Sequence, residues 1–133
     1  MTENELAKWI KNELIANQTD ELTGNKERIK KFLRLTPDGN VMVNDKRATS
    51  RIQVALYYIG VAYAKAAELR PDDSASNHEI AERLGLPDGT VHPKVKELRD
   101  GHFIEAVKDG VHRINYARLG SLLDEAEKGS SSV

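Results

Sequence analysis

The sequence predicts an α+β fold, mainly helical, on three observations. A long apolar-rich run from Thr49 to Arg70 reads as a central helix, and two shorter helical patterns flank Gly85. Apolar residues alternate on either side of Pro37–Gly39 and again around Asp109-Gly110, which marks two hairpins. With 133 residues, 39% apolar and 31% charged, the chain can bury one real core with a small appendage and is too apolar to stay disordered. The expected division is an N-terminal helical and hairpin extension over 1–48, a domain over 49–128 and a flexible tail over 129–133.

The first helix is announced by Thr2 and Glu5 in capping-box spacing, followed by Leu6, Trp9, Ile10 and Leu14 on one face. "TDELTGNKE" breaks that period, and "KERIKKFL" suits a short basic helix. In "FLRLTPDGNVMVN" the period changes to two: Leu33 and Leu35 face Val41 and Val43 across a Pro37/Gly39 turn. The central helix has one face of Ile52, Leu56, Ile59, Tyr63 and Ala66 and a second of Val54, Tyr58 and Val61, so burial on two sides is expected. "PDDSAS" ends it.

Composition narrows the function. Without cysteine there are no disulfides, no thiol catalysis and no cysteine-based zinc site. The longest apolar run, Val54–Ala64, is too short for a bilayer, and "MTENELAK" lacks the basic-then-apolar layout of a signal peptide. No membrane association and a cytoplasmic location are expected. Net charge is −1, yet residues 26–51 hold eight basic and three acidic side chains, so a basic face is still available.

The most informative stretch follows. Ser76 and Glu79 repeat the capping-box spacing and start a helix with Ile80, Ala81 and Leu84 inward. Gly85 suits the left-handed residue that closes it, and Leu86 tucks under the turn. Val91, Val95 and Leu98 then recur at i, i+4, i+7, the inner face of a second helix. Next, "HFIEAVKDGVHRI" gives two strands joined by Asp109-Gly110, the dipeptide of a type I′ hairpin. Helix, glycine turn, helix and then a hairpin is a winged helix-turn-helix order.

"IAERLGLPDGTVHPKVKELRDGHFIE" resembles the winged helix-turn-helix segment of bacterial and archaeal transcription regulators. Within it, Gly89, Thr90, Val91, His92, Pro93, Val95, Leu98, Phe103 and Ile104 are similar to the PadR-type pattern, with His92 where that pattern has Tyr. The resemblance covers about a third of the chain and does not extend to the N-terminal part. It implies a winged-helix fold and double-stranded DNA binding, and neither a PadR ligand nor a PadR target.

On this reading Thr90 and Lys94 lie nearest the base edges, with His92 beside them, and Lys96 and Arg99 meet phosphates. Lys108, His112 and Arg113 cluster at the wing, along the backbone or minor groove. Lys26, Arg28, Lys30, Lys31, Arg34, Lys46, Arg47 and Arg51 are candidates for an extended phosphate-tracking surface. Pro93 leaves two possibilities open: a late helix with proline in its first turn, or a helix from about Asp88 with a kink or a 3₁₀ turn before it. Either way "DGTVH" is a tight lead-in whose amides suit a phosphate.

His78, His92, His102 and His112 are 14, 10 and 10 residues apart, unlike metal-ligand spacing, so neither a metal nor a cofactor is expected. Tyr57, Tyr58 and Tyr63 read as core or dimer contacts. No nucleophile–base pair, phosphate loop or carboxylate dyad stands out, so the protein is not expected to be an enzyme. A homodimer is expected, through Trp9, Ile10 and Leu14 of the first helix or Leu119, Leu122 and Leu123 of the last. The competing expectation is a winged helix that binds a protein partner within a larger assembly. Near-zero net charge and the acidic Glu97 and Asp100 of the second helix favour it.

Overall fold

A computed structural model describes residues 1–14, 18–44 and 48–131. The chain is α+β, about 61% helical, with two small antiparallel sheets. Its elements run α1 (Glu3–Trp9), a π-helical turn (Ile10–Leu14), α2 (Gln18–Gly24), α3 (Lys26–Ile29), β1 (Leu33–Leu35) and β2 (Val41–Val43). There follow α4 (Ser50–Ala66), β3 (Ser74–Ser76), α5 (Asn77–Leu84), α6 (Asp88–Asp100), β4 (Ile104–Lys108), β5 (Val111–Ile114), a 3₁₀ turn (Tyr116–Arg118) and α7 (Leu119–Ser131). Among the described residues no helix is long and apolar enough to cross a membrane.

Helix α4 is the centre. Thr49 caps it by accepting the Ile52 amide proton, and ten of its seventeen residues are buried. It touches β1 and β2 on one side and α5, α6, α7, β3 and β5 on the others. Burial therefore goes beyond the two expected faces. The helix stops at Ala66, short of the predicted Arg70, because Glu68 turns left-handed (φ 63) and Leu69 N–H bonds back to Ala64 C=O at 2.9 Å. Nothing in "KAAELR" forbids helix there, so the sequence carries no stop signal.

The predicted β1–β2 hairpin forms, and its register places Leu33 opposite Val43 and Leu35 opposite Val41. Its turn is fixed by Thr36, whose Oγ1 accepts from Asn40 N–H at 3.0 Å, and by Gly39 at φ 83. Leu22, Ile29, Phe32, Leu33 and Val41 join the same buried cluster as α4, α5, α6 and α7. Leu119, Leu122 and Leu123 belong to that cluster too, at 1% exposure or less. They are core residues and not a dimer surface. The α1 stripe behaves differently: Leu6, Trp9 and Leu14 are 46%, 46% and 66% exposed. Helix α7 continues to Ser131, so part of the segment expected to be a flexible tail is helical, and residues 132 and 133 lie outside the described residues.

The second sheet has the order β3-β5-β4. Strand β3 was not expected: "SAS" is too short and too polar to show an alternation. It pairs antiparallel to β5, Ala75 opposite His112 and Ser76 opposite Val111. The wing hairpin is present, but Asp109 keeps a negative φ and only Gly110 is left-handed (φ 72), so the turn is not the expected type I′. A bulge between Ala106 and Lys108 supplies the twist instead.

Between the sheets, α5 ends as predicted. Gly85 takes φ 68, and Leu86 N–H reaches Ala81 C=O at 3.0 Å. Ser76 caps α5 through the Glu79 amide at 3.1 Å, but the Glu79 carboxylate does not complete a capping box. It accepts from both guanidinium nitrogens of Arg70 (2.9 and 3.0 Å) and from the Tyr57 hydroxyl (2.5 Å). Burial, then Glu79, push the Tyr57 hydroxyl well above its usual range, so it stays a donor.

Helix α6 starts at Asp88, which overturns the late-start possibility. The extended Pro87 (ψ 148) caps it, and its carbonyl accepts from both Thr90 (2.9 Å) and Val91 (3.1 Å). Pro93 is thus the sixth helical residue and deprives the Gly89 carbonyl of its helical partner.

Two changes test this packing. A Cβ on Gly60 would come within 2.4 Å of Val41 Cγ1, so α4 and β2 meet only because position 60 is bare. Gly60→Ala gains about 1 kcal/mol of helix propensity but is expected to lose about 1–3 kcal/mol to overpacking, lowering the urea midpoint; adding Val41→Ala should recover part of the loss. A higher midpoint in the single variant would contradict the contact. Pro93→Ala restores the missing bond and is expected to stabilise by up to about 3 kcal/mol, read as a higher melting temperature. An unchanged or lower melting temperature would mean the proline carries no strain.

Candidate nucleic-acid interface

Helix α6 buries Val91, Val95 and Leu98 against α4 and α5. At about 100° per residue, the ridge opposite that face runs Gly89, Pro93, Lys96, Asp100. It begins with a glycine, a flat ring and no long side chain, so another surface can approach the first two turns closely. The candidate residues fall on two flanks of this ridge. Thr90 and Lys94 are on one flank and half-buried, and Lys94 Nζ sits 3.5 Å from Glu97. Glu97 in turn lies 4.0 Å from Arg51, which stacks 5.4 Å from the Phe103 ring centre. This flank is close to neutral. His92 and Arg99 are exposed on the other flank, beside Lys96, and look towards the wing.

The wing is tied down. Gly110 C=O accepts from the Asn77 N–H at 3.0 Å, so the turn is fastened to the first residue of α5. Lys108 is exposed next to it. Arg113 is exposed on the outer face and pairs with Glu105 at 3.3 Å. His112 departs from expectation: it is 2% exposed and faces inward, because its neighbours Val111 and Arg113 take the other side of the strand. It does not belong to an exposed wing patch.

Instead His112 lies under a groove of about 440 Å³ between α6 and the wing turn. His92, Val95, Lys96 and Arg99 form one wall, Asp109 and Gly110 the other, and Asn77 closes the end. Burial, and then the nearby Arg99, hold the imidazole below its ordinary titration range. Neither His112 ring nitrogen has a hydrogen-bond partner, and neither does Asn77 Oδ1. Asn77 and Asp109 were not singled out by the sequence; as a first helical residue and a turn residue they carry no signal of facing a groove.

Part of the basic stretch at 26–51 is spent within the chain, while Lys26 and Lys31 are exposed. Arg28 bonds Asp124 at 2.5 Å and Glu127 at 2.6 Å, clamping α3 to α7. Lys30 pairs with Glu27 at 3.1 Å, Arg51 with Glu125 at 3.5 Å, and Arg34 donates to the carbonyls of Lys30 and Leu33. Lys46 and Arg47 lie outside the described residues. The tyrosines are core: Tyr57 bonds Glu79, and Tyr63 bonds Leu22 C=O at 2.5 Å. Among the described residues an outside partner would meet the outward ridge of α6, its wing-side cations and the groove, the exposed Lys26 and Lys31, and the apolar stripe of the N-terminal helix. The chain matches no protein-family model, no curated protein and no solved structure.

Proposed function

We propose that this chain is a winged helix-turn-helix protein that binds double-stranded DNA as a homodimer and regulates transcription in the cytoplasm, without catalysis of its own. The observation that carries the reading is the order of elements. A capped helix, a left-handed Gly85 turn and a second helix run straight into a hairpin, and a short strand ahead of the first helix completes the sheet β3-β5-β4. In such an arrangement the second helix enters the major groove and the hairpin lies along the backbone. The low Gly89–Pro93 ridge of α6 favours close approach, and Lys96 and Arg99 supply phosphate contacts on its wing side. Lys94, already neutralised by Glu97, is the weaker candidate.

A titration of random-sequence duplex across a salt series tests this. Log affinity is expected to fall linearly with log salt, and Lys96→Ala to flatten that slope by about one, while Lys94→Ala changes it less. Absence of binding at low salt would remove DNA as the partner.

Assembly rests on α1. Leu6 and Trp9 on it, and Leu14 of the π-helical turn that follows, are exposed among acidic Glu3 and Glu5 and basic Lys8 and Lys11. Pairing through this face would bury it in a two-fold interface. Sedimentation at tens of micromolar should give twice the chain mass, and Trp9→Glu should return one chain mass; a wild-type monomer would refute the dimer. The same exposed face, with Arg28, Lys30 and Arg51 of the basic stretch already in ion pairs, favours a second reading in which the module docks on another protein. That reading predicts a salt-insensitive complex and no affinity for duplex.

A further inference from the structure

Buried imidazoles are normally hydrogen-bonded, because an unpaired polar group away from water costs about 1–3 kcal/mol. His112 breaks that rule at both nitrogens, and Asn77 Oδ1 breaks it in the same place. Each lines the groove between α6 and the wing turn. Two cations, Lys96 and Arg99, line the groove from α6 beside His92, with one carboxylate, Asp109, on the turn and Lys108 exposed next to it. Ala75 of β3 and Ala106 of β4 are the strand partners of His112, and Asn77 comes from α5. Glu105 and Arg113 are exposed and satisfy each other at 3.3 Å.

We propose that this groove is an oxyanion site of the phosphate type, and that His112 is its buried donor, taking up a proton from solvent as the oxyanion seats against Lys96 and Arg99. Burial first, and the Arg99 guanidinium second, hold the imidazole neutral; an anion seated beside it supplies the opposite charge and makes the imidazolium the favoured form. The lowered titration of His112 in the free protein agrees with the first half of that cycle. Asp109 at the opposite wall confines the anion to the α6 side. The ring nitrogens lie just beneath the groove floor, so closing the hydrogen bond takes a small outward shift of the Asp109-Gly110 turn. That turn is held to α5 by the Asn77–Gly110 bond, and Gly110 supplies its flexible corner.

Two sources fit the chemistry: a phosphodiester of the DNA backbone, which rests on the proposed function, or a free phosphate group. They are separated by following the His112 ring resonances with pH in the whole protein, alone, with inorganic phosphate and with random-sequence duplex, at matched ionic strength. The expected result is a rise of about one pH unit or more in the His112 midpoint on binding. Linkage then requires affinity to fall about tenfold per pH unit between the free and bound midpoints. His112→Gln should abolish that dependence and His78→Gln, exposed on α5 outside the groove, should keep it. A rise with duplex only assigns the DNA backbone, and a rise with phosphate only assigns a free ligand. A midpoint unmoved by both overturns the site; if duplex still binds with a salt slope, the DNA reading stands without it. The wild-type titration decides the matter even where His112→Gln does not fold.

Discussion

The whole molecule leans on the contact between α4 and its surroundings. From Val54 to Val61 no side chain reaches water, and at position 60 even a methyl group is too much. A helix with no polar face has to be covered on all sides, and one small sheet cannot do that. The β1–β2 hairpin therefore closes one side while α5, α6, α7 and the β3-β5-β4 sheet close the rest. The position of α6, and with it the outward ridge, is a by-product of that enclosure: Val91, Val95 and Leu98 are taken inward, so Lys96 has nowhere to go but out.

A polar tie sets the angle between α4 and α5. Two buried or half-buried groups of α4 and the loop after it, Tyr57 and Arg70, converge on Glu79. Such a set is stable only when every member is paired, and losing one partner leaves a charge stranded. Glu79 stands where a capping residue would, yet its carboxylate is drawn inward by Arg70. Local helix capping has been given up in part for a long-range tie.

What the sequence made legible was local chemistry: the Thr2 and Ser76 caps, the start of α4 near Thr49, the Gly85 turn, the hairpin around Pro37–Gly39, and the inward face of α6. Each depends on residues within a few positions of one another. What it hid depends on partners far along the chain. Helix α4 ends at Ala66 and α6 at Asp100, and beyond each end a non-glycine residue, Glu68 or His102 (both φ 63), turns left-handed, which the local sequence does not announce. The strand β3 exists only because β5 is there to pair with it. The candidate site divides in the same way. His92, Lys96 and Arg99 are brought together on one flank, while Lys94 is drawn to Glu97 and His112 is drawn inside. Charge and spacing along one helix cannot show which flank a neighbouring hairpin will cover.

The placement of the aromatic side chains also decides how this molecule can be watched. Its one tryptophan, Trp9, sits half-exposed on α1, while the four tyrosines lie in or against the core at positions 57, 58, 63 and 116. Tryptophan emission will therefore be almost blind to melting of the core and responsive to whatever comes to rest on α1. Loss of the core will be carried by the near-ultraviolet dichroism of the tyrosines. Association and unfolding, which share one optical signal in many small proteins, are here written in two different colours.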